Sequence, residues 1–167
     1  MKVKKLTELA LLTAIALIIF AIELQIPNPF PIPGIKLGLA NIITVYAIYR
    51  FRACEVMMIV FCRIFLAAVF SGNMMALAYS FTGSVVCLAG MLLLRKIIDK
   101  NHIWLASVFG AVLHNVGQIT IAILIMGMGM LVYLPFLVVS GCLAGAFTGG
   151  CAQLVIGRVK TSGWDSI

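Results

Sequence analysis

The residues best placed for chemistry in this chain are polar side chains set inside apolar runs. Arg63 interrupts "ACEVMMIVFCRIFLAAVF" about nine residues into that run. At about 1.5 Å per helical residue, this puts it about 14 Å from the start of a helix, near the middle of a bilayer. A charge at that depth costs at least about 2.5–3.5 kcal/mol on insertion scales. It therefore has to face a ligand, a partner or water in the bundle interior. Ligand binding is one role; a structural pair with Glu23 is the other. A later run, "GAVLHNVGQITIA", carries His114 and Gln118 four residues apart and so on one helical face, with Asn115 one step around. Ser107, Ala111 and Ala122 extend that face with small residues. Three clustered polar groups at the depth of an arginine predict a polar cavity.

Near the far ends of the same runs lie Lys36, Asn41 and Asn73. A cavity lined by Lys36, Asn41, Arg63, Asn73, His114, Asn115 and Gln118 suits an anionic or strongly hydrogen-bonding ligand. Lys36 has a second reading, snorkelling to the membrane surface. No metal site is expected, because no second His or Cys stands at a suitable spacing from His114. The five cysteines, 54, 62, 87, 142 and 151, form no C-x-x-C pair and read as small buried residues.

The chemistry that is missing narrows the function. The acidic residues, Glu8, Glu23, Glu55, Asp99 and Asp165, form no paired motif that could hold magnesium diphosphate. Nucleotide-binding, serine-hydrolase and zinc-protease patterns are missing as well. The chain is not expected to be an enzyme or to need a cofactor.

The elements that must position these residues are membrane helices. Of 167 residues 63% are hydrophobic and 10% charged, and the mean hydropathy is +1.19. A soluble domain carries roughly 25% charged residues. Six apolar segments stand out: Leu6–Leu24, Ile35–Tyr49, Ala53–Phe70, Met74–Leu94, Ile103–Met126 and Leu131–Ile156. They predict an all-α bundle of six transmembrane helices over residues 1–160, with a short tail at 161–167. The second segment falls below the roughly 20 residues that a span requires. The first is too long for a signal-peptide core and reads as a retained span.

Ten of the twelve Lys and Arg fall on one side of a six-span topology: Lys2, Lys4, Lys5, Arg50, Arg52, Arg95, Lys96, Lys100, Arg158 and Lys160. The positive-inside rule then places both termini in the cytoplasm of a multi-pass protein of the bacterial cell membrane. The net charge of +7 reflects this orientation, and no nucleic-acid footprint accompanies it. Gly141, Gly145 and Gly149 form a double G-x-x-x-G that predicts close internal packing. Ser80, Gly83, Ser84 and Cys87 make a similar stripe in the fourth segment, and Ala10 and Ala14 an A-x-x-x-A in the first.

Several stretches together carry a resemblance: "ALLTAIALIIFAIE", the proline-rich loop with "PGIKLGLANIITV", the intramembrane arginine, "SGNMMALAYSFTGS" and "HNVGQ". Over about residues 5–158 the chain resembles the heptaprenyl diphosphate synthase component I family, also called the Gx transporter family. That family looks related to the substrate-binding S components of energy-coupling factor (ECF) transporters. The resemblance implies a six-helix fold with an extracellular ligand site and a lid at Pro27–Gly34. It also implies docking through Ala10 and Ala14 onto a transmembrane coupling subunit driven by two cytoplasmic ATPases. The ligand would be a small, anionic or polar molecule. The family label carries an alternative: a non-catalytic partner in polyprenyl or quinone metabolism that holds a lipid-like ligand, with a long apolar groove beside the polar pocket.

Overall fold

The computed structural model describes residues 3–26, 38–72, 74–98 and 102–160, without the side chains of residues 159 and 160. Six α-helices occur among them: α1 (Val3–Glu23), α2 (Asn41–Arg50), α3 (Ala53–Ser71), α4 (Met74–Leu94), α5 (Ile103–Met126) and α6 (Leu134–Lys160). The expected all-α membrane bundle is what forms. Five of the apolar stretches are long enough to cross a membrane. The second helix is not. Its ten residues extend about 15 Å, half of a bilayer core. The residues from 35 to 40, expected to begin this helix, lie before it; those described have Gly38 at φ +73°. The sixth helix also starts later than expected, because Met128–Tyr133 form a 3-10 helix after Gly127. Pro135 then sits at the second position of α6, where its missing N–H has no intrahelical acceptor to lose.

The helix ends at one pole are tied together. Glu55 accepts a hydrogen bond from the Arg52 backbone N–H at 3.0 Å, which caps the start of α3. Lys5 meets the same carboxylate at 2.7 Å and joins α1 to α3. Arg95, just past α4, donates through Nη1 to the carbonyls of Ile48 (2.6 Å) and Phe51 (3.1 Å). These are carbonyls at the α2 C-terminus, and a guanidinium is well matched to them. Residues counted above as topology signals thus also hold the short helix in place.

Helices α2, α3, α4, α5 and α6 form a closed ring in which each packs against the next and α6 returns to α2; α1 lies across α2 and α3. Lipid supplies no hydrophobic drive for this assembly, so close contact between backbones has to supply it. On α6, a Cβ added to Gly145 would lie 2.6 Å from the Val108 Cα, and one on Gly149 2.6 Å from the Trp104 Cα. Gly117 of α5 similarly faces the Cα of Gly83 on α4. The Gly141 series is therefore internal packing, as its spacing predicts. Ser107 and Thr148 share a buried hydrogen bond at 3.1 Å in the same interface.

Two apolar cores result. The larger, at the basic pole, includes Leu9, Ile48, Val56, Ile59, Met91 and Ile103. The smaller, toward the opposite pole, joins Tyr79, Ile119, Ala122 and Leu137. Large apolar side chains such as Phe65, Val69, Leu124, Leu143 and Leu154 stay exposed around the outside, the surface that lipid would cover.

Candidate functional site

Five helices bring polar groups to one cavity of about 50 Å³. Glu23 comes from the end of α1, and Gly38, Ala40 and Asn41 from the entry to α2. Arg63 and Ala67 come from α3, Ser80 and Ser84 from α4, and His114 and Gln118 from α5. All sit toward the pole opposite the basic helix ends. At 1.5 Å per residue, Arg63 is about 12 Å from the end of α3 and His114 about 18 Å from the end of α5.

Arg63 is 7% exposed. Its Nη1 and Nη2 both reach Asn41 Oδ1, each at 3.4 Å. These are long contacts to a single acceptor, and a guanidinium carries five N–H donors. Glu23, 6% exposed, attracts Arg63 electrostatically. It also accepts the Gly38 N–H at 2.6 Å, which fixes the backbone that leads into α2. The Ser84 hydroxyl and His114 Nδ1 are buried without a hydrogen-bond partner. Buried polar groups are normally satisfied. Two such atoms beside an under-used guanidinium make a polar cavity that its own side chains do not fill.

Of the residues expected at the site, Asn41, Arg63, His114 and Gln118 come together. Asn115 goes elsewhere. It turns to α6 and donates to the Leu137 carbonyl at 2.7 Å, because one step along a helix rotates a side chain about 100° onto a different neighbour. Lys36, Asn73 and the stretch Pro27–Gly34 lie outside the described residues. The small-residue face expected to extend from His114 divides between two neighbours. Ser107 and Ala111 pack on the α6 glycines, whereas His114 and Gln118 meet Gly83 of α4.

Glu23, Ser80 and Ser84 were not expected to line the site. Ser80 and Ser84 read as part of a packing stripe, yet their i, i+4 hydroxyls on an otherwise apolar helix were a usable signal. Among the described residues, no three His, Cys, Asp or Glu gather as metal ligands.

A second hollow of about 650 Å³ runs along the outer part of α6. It is lined by Leu39, Pro135, Phe136, Val139, Ser140, Leu143, Ala144 and Phe147. Its wall is almost wholly apolar. Leu39, which lines it, sits between Gly38 and Ala40, which line the polar cavity.

Residues 12–155 match the family model described as heptaprenyl diphosphate synthase component I. The chain belongs to this family. The match runs from within α1 to within α6 and so spans every helix that lines the cavity. Comparison with curated proteins gives no match, and comparison with solved structures gives none. For this member of the heptaprenyl diphosphate synthase component I family, the family description and a multi-pass helical bundle stand together; the function has to be argued from the cavity.

Proposed function

We propose that this protein is a membrane-embedded ligand-binding subunit, the substrate-binding component of an ECF-type transporter. It would capture a small polar molecule from the extracellular side. The observation that carries this reading is the cavity around Arg63, where a buried cation, a hydroxyl and an imidazole nitrogen lack adequate partners within the protein. A bundle held together only by packing gains nothing from such a group, which costs kilocalories to bury. A ligand that satisfies it recovers that cost.

In this reading the chain performs no bond chemistry. Transport follows from movement of an assembly with a coupling subunit and cytoplasmic ATPases, and both termini of this chain lie in the cytoplasm. The basic helix ends gathered at one pole favour that orientation under the positive-inside rule. Ala10 and Ala14 are exposed on α1, as a docking stripe would require. Lys36 and the Pro27–Gly34 segment keep their proposed roles of drawing in and covering the ligand.

Uptake and binding measured with membranes or proteoliposomes test the proposal. Co-expression with a coupling subunit and its ATPases should yield a complex and ATP-dependent accumulation of the molecule that co-purifies with the protein. Purified protein that retains no small molecule, with no complex formed, would sink it.

The alternative, a non-catalytic partner that holds a lipid intermediate in polyprenyl metabolism, gains one specific support: the apolar hollow on α6 lies one residue away from the polar cavity. A prenylated lipid extracted from the purified protein would favour it over a water-soluble ligand.

A further inference from the structure

The charges and hydrogen-bonding capacities around the cavity restrict what it can hold, given that it is a ligand site as proposed above. We infer that the ligand presents both a hydrogen-bond acceptor, to Arg63, and an N–H or O–H donor, to His114 Nδ1, and that acceptor-only multivalent anions such as phosphate or diphosphate are poor ligands. Arg63 brings donors and no acceptor. His114 brings the opposite. Its ring is directed to the backbone carbonyl of Gly83, which commits one nitrogen as an N–H donor. Nδ1, buried and without a partner, is then the bare acceptor of the neutral ring. Ser84 Oγ, also without a partner, serves in either sense.

Glu23 decides against a bare anion. Its carboxylate lines the same cavity as Arg63, so the site holds one positive and one negative side chain rather than a cluster of cations. A diphosphate would gain one arginine while meeting a buried carboxylate and a lone pair on Nδ1, and like charges at close range in a low-dielectric site cost several kcal/mol. A neutral or zwitterionic molecule with a C=O or carboxylate beside an N–H satisfies all three groups. Small amides, lactams and amino-acid-like compounds are of this class. A cavity of about 50 Å³ admits the recognised end of such a molecule, a few non-hydrogen atoms.

The test uses the full chain in detergent, labelled with ¹⁵N-histidine. The sequence has two histidines, so His102→Gln assigns the His114 resonances. Acetamide and 2-pyrrolidinone are donor–acceptor probes; inorganic phosphate and diphosphate are acceptor-only probes. Titration with acetamide should move the Nδ1 resonance toward its hydrogen-bonded position. Phosphate should bind at least about tenfold more weakly, the factor that corresponds to one hydrogen bond. His114→Phe should weaken acetamide by about tenfold, while His114→Asn, with an amide oxygen near the place of Nδ1, should restore most of that affinity. Tighter binding of phosphate than of acetamide, or acetamide binding without movement of Nδ1, overturns the inference and leaves ligand capture standing. Binding of neither class removes both.

Discussion

Arg63 ties function to stability at the level of single residues. Replacing it alone with Met removes a costly buried charge but leaves the Glu23 carboxylate, 6% exposed, without that cation. Removing one member of a buried charged pair typically costs about 3–5 kcal/mol, whereas replacing both with neutral groups is often neutral or stabilising. Arg63→Met is therefore expected to lower the thermal unfolding temperature in detergent. Arg63→Met combined with Glu23→Gln should return it to wild type or above. Both variants should lose ligand. A double variant that still binds would place the ligand elsewhere. Ser84→Ala offers a milder check at this scale: it deletes a buried hydroxyl that has no partner. Stability should be unchanged or rise by about 1 kcal/mol, and any loss of binding then belongs to the ligand contact.

Between elements, the contacts that matter most are those that let backbones touch. Gly145→Leu forces a side chain where even a Cβ meets the Val108 Cα at 2.6 Å. Overpacking of this kind costs about 1–3 kcal/mol or more when backbone has to move. The variant should unfold at lower temperature and lose α5–α6 packing. Gly157→Leu, on the same helix with nothing within 4 Å of an added Cβ, should behave like wild type. The paired result separates steric packing from helix propensity, since both changes replace Gly with Leu. Arg95→Ala removes the donor to the Ile48 and Phe51 carbonyls. With its side chain largely exposed, a loss of about 1 kcal/mol is expected, together with faster amide hydrogen exchange in α2. Arg95→Lys should recover only part, because an ammonium lacks the planar fork.

The molecule as a whole divides into a basic, well-packed pole and an opposite pole that holds the polar cavity. In the proposed orientation the cavity opens away from the cytoplasm, so reporter fusions after residue 160 should read as cytoplasmic. An extracellular reading would reverse the direction of capture. The exposed Ala10 and Ala14 make a second prediction at this scale. Ala14→Trp should leave folding and ligand binding intact, because the side chain points away from the bundle, and yet prevent co-purification with a coupling subunit. An intact complex would remove α1 as the docking helix.

Much of this was legible in the sequence. Composition and run length determined that the chain is a bundle of membrane helices, because an apolar stretch of about 20 residues has few other places to go. The Gly141, Gly145 and Gly149 spacing announced a close helix contact, and the depth of Arg63 and His114 announced a polar interior. Periodicity, however, specifies only a face; it does not say which neighbour that face meets. Tertiary structure decided that Asn115 braces α6 while His114, one residue earlier, lines the cavity. It decided that Ser80 and Ser84 do not merely pack, and that Glu23, at the end of a helix forty residues before Arg63, shares its cavity. It shortened α2 to ten residues and gave Arg95 the role of holding its end. Each of these depends on which helices become neighbours around the ring, and that is fixed by backbone contacts between segments far apart in the chain.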